Sequence, residues 1–366
     1  MGITFTLLGV LLVVLLVLGR WQTLKNTDKQ TSEGLWMMAW KQFSRRTLNR
    51  LGMYFVVSLF GISFFADFLA SDLPIVLHRE GQTWVLPNLV RPPELVRVNN
   101  TFLLSGGLRQ GDWALMPLIP YGPNEDLGQL RTRRLQSPDG LHPLGTDDRG
   151  RDVAARMLHG TRVTLMVGIL AVGLYVLIGL LLGATAGYFG GWLDDVIGRI
   201  TEVFMSFPSF FLILTIQALL PTTAGVTSVL QLVLVIGVTR WTEVSRLVRA
   251  EVMRAKVNDY VAAAQAAGLS DARILLRYIL PNSLGPVLVA ATFGVAGAVL
   301  LESGLSFLGF GVQPPMASWG ELLQQARETR VPWMVFYPGM AVFLSVTMYN
   351  LVGEGLRDAL DPRLRS

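Results

Sequence analysis

The chain has no cysteine among its 366 residues, so it can form neither a disulfide nor a thiolate metal site. Its three histidines, His78, His142 and His159, are too scattered to be given a ligand role, and no metal site or catalytic residue is expected. No Gly-x-x-x-x-Gly-Lys-[Ser/Thr] run occurs, so any coupled nucleotide hydrolysis must be done by another chain. Charge is scarce at 16%, with hydrophobic residues at 51% and a mean hydropathy of +0.46. That balance is unlike a soluble domain and reads as a polytopic membrane protein. In a soluble protein the net charge of +5 would raise nucleic-acid binding; here membrane topology accounts for the basic residues.

Apolar runs at about 51–70, 163–188, 203–220, 226–241, 284–301 and 332–351 predict six spans. A seventh, at 1–19, is at about the minimum length for a crossing and reads as an uncleaved anchor. A cleaved signal peptide is the rival, but no Lys or Arg precedes the run. Residues 20–50 carry Arg20, Lys25, Lys29, Lys41, Arg45, Arg46 and Arg50 against Asp28 and Glu33, so they are expected in the cytoplasm. The segment 239–282 carries Arg240, Arg246, Arg249, Arg254, Lys256, Arg273 and Arg277 against Glu243, Glu251, Asp259 and Asp271, which places it on the same side. Threading alternate sides then puts 71–162 outside and the tail at 352–366 inside.

Within that exported insertion, 74–87 predicts a β-hairpin turning at Glu80-Gly81, and 95–104 could add a strand. Asp147, Asp148 and Asp152 with Arg149 and Arg151 predict a capped, self-paired interfacial helix rather than a metal or acid-base site. Trp319 and Trp333, near the outer ends of the last spans, read as interfacial anchors. Gly179, Gly183 and Gly187 recur every four residues and leave one helix face without side chains; Ala290, Gly294 and Ala298 repeat the device. Helix packing is the first reading of both stripes and a translocation path the second. None of the predicted spans holds a carboxylate pair or an Asp/Glu/His chain of the kind ion-driven pumps use, which argues against a secondary transporter.

The polar stretch 260–282, between two apolar runs, must be a loop at the membrane surface. Two short helices fit it: one ends in the alanine run that includes Ala262, Ala263 and Ala264, and one opens at Ser270 and stops before Pro281. Gly268 is the hinge, because it takes positive φ freely. Ile274, Leu275, Tyr278 and Ile279 form an apolar stripe that favours docking into a protein groove. A DNA-reading helix-turn-helix in a membrane-anchored regulator is the alternative from another class, but the second helix has only Arg273 and Arg277 as basic residues.

This stretch resembles the EAA motif of ABC importer permeases, matching at Ala262, Ala263, Ala264, Gly268, Tyr278, Leu280 and Pro281. Ala262 replaces the motif's glutamate and Tyr278 its isoleucine. The runs HPLGTDDRGRDVAARMLHGTRVTL from His142, GYFGGWLDDVIGRITEVFMSFPSF from Gly187, LESGLSFLGFGVQPPMASWGELL from Leu301 and YNLVGEGLRDALDPR from Tyr349 resemble C-type dipeptide and oligopeptide permeases. The insertion, with Ser71-Asp-Leu-Pro74 and the run from Trp113 to Tyr121, is similar to the microcin C and Yej-type branch. The resemblance implies an all-α, six-helix, type I importer core at 163–351 plus the span at 51–70, with the anchor and the small β-containing insertion added. It also implies a multi-pass protein of the bacterial inner membrane, a homologous B-type permease, a cytoplasmic ATPase that binds ATP and magnesium, and an exported substrate-binding protein. The expected substrate is a peptide, with nickel or another small solute as the alternative. No cofactor is expected on this chain. ATPase coupling would rest on Ala262, Ala263, Ala264, Gly268, Ile274, Leu275, Tyr278, Leu280 and Pro281.

Overall fold

Long apolar runs satisfy their backbone groups internally as helices, and these helices set the architecture. The computed structural model describes residues 35–96, 98–125 and 134–360. The expected anchor at 1–19, the start of the basic linker and the last six residues of the tail lie outside the described residues. Helix α1 (Leu35–Arg45) leads into α2 (Thr47–Leu69); the insertion follows, and then come α3 (Val153–Phe189), α4 (Gly191–Met205), α5 (Ser209–Leu219) and α6 (Val226–Lys256). After α7 (Asp259–Ala266), the chain continues through α8 (Asp271–Phe307), α9 (Trp319–Thr329) and α10 (Pro332–Leu360).

Among the described residues, α2, α3, α8 and α10 are long and apolar enough to cross a membrane. The expected span at 203–220 is instead a bent pair: α4 and α5 meet at 84°. Pro208 lacks a donor and pushes the residue before it out of the α region, so the helix breaks and restarts at Ser209. Counted as one span, the pair would be a fifth. The expected span at 226–241 is only the first half of α6, whose second half carries Glu243, Arg246, Arg249, Glu251 and Arg254. Helix α3 has 37 residues and so extends for roughly 55 Å, well beyond a hydrocarbon layer of about 30 Å. Residue 162, where the expected insertion ends, lies inside it.

Helix α3 is the spine. Gly179, Gly183 and Gly187 all face α6: a Cβ on Gly179 would lie 2.8 Å from the Trp241 carbonyl, one on Gly187 2.8 Å from that of Arg249, and one on Gly183 would overlap that of Ser245. The order of these contacts makes α3 and α6 parallel. Backbone approach this close gives the dispersion contact that drives helix pairing where lipid removes the hydrophobic incentive. Helix α8 runs antiparallel on another face of α3, with Gly294 against the Tyr175 hydroxyl and Ala298 in the same buried cluster. Ala290 is half-buried. Helices α2 and α10 pair antiparallel through Gly52, set against the Met348 carbonyl, and are tied at one end by Arg46–Asp358 at 2.8 Å.

The insertion carries an antiparallel sheet in the order β2-β1-β3, from β1 (Val76–Arg79), β2 (Gln82–Val85) and β3 (Trp113–Leu115). The hairpin turns at Glu80 and Gly81, both with positive φ, as a type I′ turn needs. The third strand is not at 95–104. Asn99 there accepts from the Phe102 amide and the Asn100 side chain donates to the Ser71 carbonyl, so local capping turns this stretch into short helical turns. Burial pushes the Glu125 carboxyl above the usual carboxylate range, although Thr101 and the Gly122 amide donate to it.

Candidate functional site

Two places in the bundle concentrate polar chemistry, one at each end. The first is the loop after α6. Helix α7 closes in a Schellman motif: the Leu269 amide donates to the Ala264 carbonyl at 3.2 Å and the Gly268 amide to that of Gln265 at 2.9 Å. Gly268 sits at φ 72, where a side chain is strained, although open space surrounds it. Ser270 holds the next N-cap position without a side-chain capping bond. Asp271 fixes the helix start differently, accepting from the Tyr188 hydroxyl at the end of α3 at 2.7 Å. Lys256 Nζ donates to the Tyr188 carbonyl at 2.5 Å, so the ends of α3, α6 and α8 are cross-tied.

Two expectations about this loop are overturned. The second helix does not stop before Pro281 but runs on as α8, because residues Leu275–Ile279 form a wide π turn. The Leu280 amide reaches back to the Leu275 carbonyl, and Pro281 falls at the start of the next α-helical segment, where its missing N–H costs little. Nor does the apolar stripe await an outside partner. Ile274, Leu275 and Ile279 are buried against Val248, Val252, Ala255, Val261 and Ala264 of this same chain. Tyr278 alone of the stripe stays out, at 36% exposure. Ala262, Ala263 and Gly268 also face solvent, joined by Arg273, Leu276 and Arg277, while Leu280 and Pro281 are half-buried. The helix-turn-helix alternative loses its second helix, which is the root of a long apolar one.

At the other end, sequence reasoning missed a buried ionic network. Asp147, Arg151, Asp152 and His142 are buried, so the expected capped and self-paired helix start forms inside the fold rather than at a surface. Asp152 caps α3 by accepting from the Ala155 amide at 2.7 Å, and its other oxygen lies 2.8 Å from His142 Nδ1. Arg151 Nε donates to Asp147 at 2.7 Å. Arg156, with 0% exposure on α3, bridges the Pro123 carbonyl, Asp147 Oδ2 at 3.5 Å and Glu321 Oε2 at 2.5 Å. Arg156 in an apolar run was the available signal; its partner on α9 is 165 residues away.

Trp319 is not an interfacial anchor. It is fully buried beside Gly160 and donates to the Met157 carbonyl at 3.2 Å. Trp333 is half-buried, its indole 3.4 Å from the Thr146 carbonyl. Glu302, one residue past the expected end of its span, is fully buried among the hydroxyls of Thr164, Ser303 and Ser306. Ser306 in turn accepts from the Val312 amide.

Residues 179–366 match the family described as the binding-protein-dependent transport system inner membrane component. A dipeptide transport system permease protein of Alkalihalophilus pseudofirmus is 40% identical over 237 residues, 64% of this chain and 76% of that protein. A glutathione transport system permease protein of Pectobacterium atrosepticum is 39% identical over 251 residues, covering 68% and 81%. An oligopeptide transport system permease protein of Bacillus subtilis is 37% identical over 232 residues, covering 62% and 74%.

Proposed function

Because this chain belongs to the binding-protein-dependent transport system inner membrane component family, we propose that it is a permease subunit of an ATP-driven peptide importer of the bacterial inner membrane. It is not itself an enzyme. The observation that carries the peptide substrate is the likeness to permeases named for dipeptides, oligopeptides and glutathione. ATP and magnesium belong to a separate cytoplasmic ATPase, and the complex includes a homologous B-type permease and an exported binding protein. The hairpin-bearing insertion favours the microcin C and Yej-type branch, with the insertion exported and helping to seat the binding protein.

Coupling runs through the loop after α6. Its exposed face, Ala262, Ala263, Gly268 and Tyr278, meets the ATPase, while Ala264, Ile274 and Leu275 anchor the loop to the permease core. With Leu280 and Pro281 in the π turn, a push on the loop moves α8 as a rigid lever. The anchoring supports a stiff connection, since the loop is cross-tied to three helix ends. Alternating access follows from motion of the bundle, with the chemistry on the ATPase.

Purification of the tagged chain from its membrane should bring down a second multi-span protein and a Walker-motif ATPase. Deletion of the chain should abolish uptake of labelled di- to pentapeptides. Peptide uptake that survives deletion, with nickel uptake lost instead, would overturn the substrate assignment.

A further inference from the structure

Helix α6 exposes Leu230, Leu234 and Val238 in its first half and the charged Glu243 and Arg246 further along. Along this charged part, α4 and α6 flank an open cleft of about 630 Å³, within the range of small-molecule sites.

Its charges divide unevenly. Arg249 holds Asp194 bidentately at 2.5 and 2.6 Å, and Arg199 pairs with Glu202 at 3.2 Å. Two groups on the same cleft are left over. Asp195 has no ion-pair or hydrogen-bond partner among the described residues, and Arg246 touches only the Met205 sulfur, at 3.3 Å. The cleft therefore offers one unmatched anion and one unmatched cation, and its lining also includes the small Gly198, Thr201 and Ser206.

We infer that this cleft is a release site for zwitterionic short peptides on the cytoplasmic side, with Asp195 receiving the peptide's free ammonium and Arg246 its free carboxylate. This rests on the peptide-importer reading. The chemistry is what a carrier of varied sequences requires, since the two termini are the charges that every unblocked peptide shares, whatever its side chains. A guanidinium meets a carboxylate in two parallel hydrogen bonds, and an ammonium gains a charge-assisted bond from a carboxylate. Partial solvent access keeps each contact weak, which suits a site that must let its cargo go.

The test uses the purified complete transporter. The chain is free of cysteine, so Ser206→Cys places one thiol on the cleft, and its maleimide labelling is read by mass on this chain. Millimolar trialanine should slow that labelling at least three-fold. N-acetyl-trialanine amide, which lacks both charges, should not, and Arg246→Gln or Asp195→Asn should each remove the protection by trialanine. Equal protection by the capped peptide, protection by acetate alone, or protection unchanged in both variants would overturn the site. Trialanine uptake by the same preparation separates the two readings: uptake without protection sinks only the release site, whereas absence of any peptide uptake sinks the importer reading beneath it.

Discussion

Arg156 has the most constrained chemistry in the chain. Its guanidinium is fully buried and faces carboxylates from two distant segments, Asp147 and Glu321. Taking such a charge from water is costly unless every partner is present, so losing one partner is far worse than losing all. Arg156→Met should destabilise the insertion end of the bundle by about 3–5 kcal/mol, since it leaves the buried Glu321 carboxylate without its guanidinium. Adding Glu321→Gln, while keeping Asp147 for Arg151, should recover part of that loss. Thermal unfolding of the purified transporter checks both, and full stability of the single variant would show the network to be unimportant. At this scale the sequence was only partly legible: Asp152 as a helix cap follows from its position, but its bond to His142 and that of Arg156 to Glu321 need the folded chain.

The loop after α6 shows how an element can change meaning once packed. Its apolar residues repeat at helical spacing, which marks a face but not what covers that face. The fold covers it internally, because the ends of α3 and α6 supply Val248, Val252 and Tyr188 as a platform. What is left for an ATPase is the outer face and the glycine turn. Gly268→Arg should leave the protein inserted at normal level and lower uptake at least ten-fold, since any side chain is strained at φ 72 and an arginine would occupy the exposed surface. Normal uptake with normal expression would remove the coupling role. The proline inside this element carries a related lesson: Pro281 reads as a stop, yet a preceding π turn absorbs it and keeps α8 continuous.

For the whole molecule, the basic residues at the starts of α2 and α8 and the ends of α6 and α10 gather at one end, opposite the sheet and α9. A single cysteine introduced at Gly81, on the exposed hairpin turn, should be labelled from outside intact spheroplasts by a membrane-impermeant maleimide. Labelling only after the membrane is opened would reverse the orientation. By itself the sequence determined that this is a polytopic helical membrane protein, that one glycine stripe makes a close-packing face, that a hairpin turns at Glu80-Gly81 and that Gly268 breaks two helices. Each of those is written in local composition, periodicity or backbone freedom. Tertiary structure alone decided that β3 lies at Trp113–Leu115, that the loop's apolar stripe and Trp319 turn inward, and that Arg156 finds Glu321. Those outcomes depend on which surfaces meet in the folded chain, as far apart as the 165 residues between Arg156 and Glu321, and a local pattern records only that a surface exists.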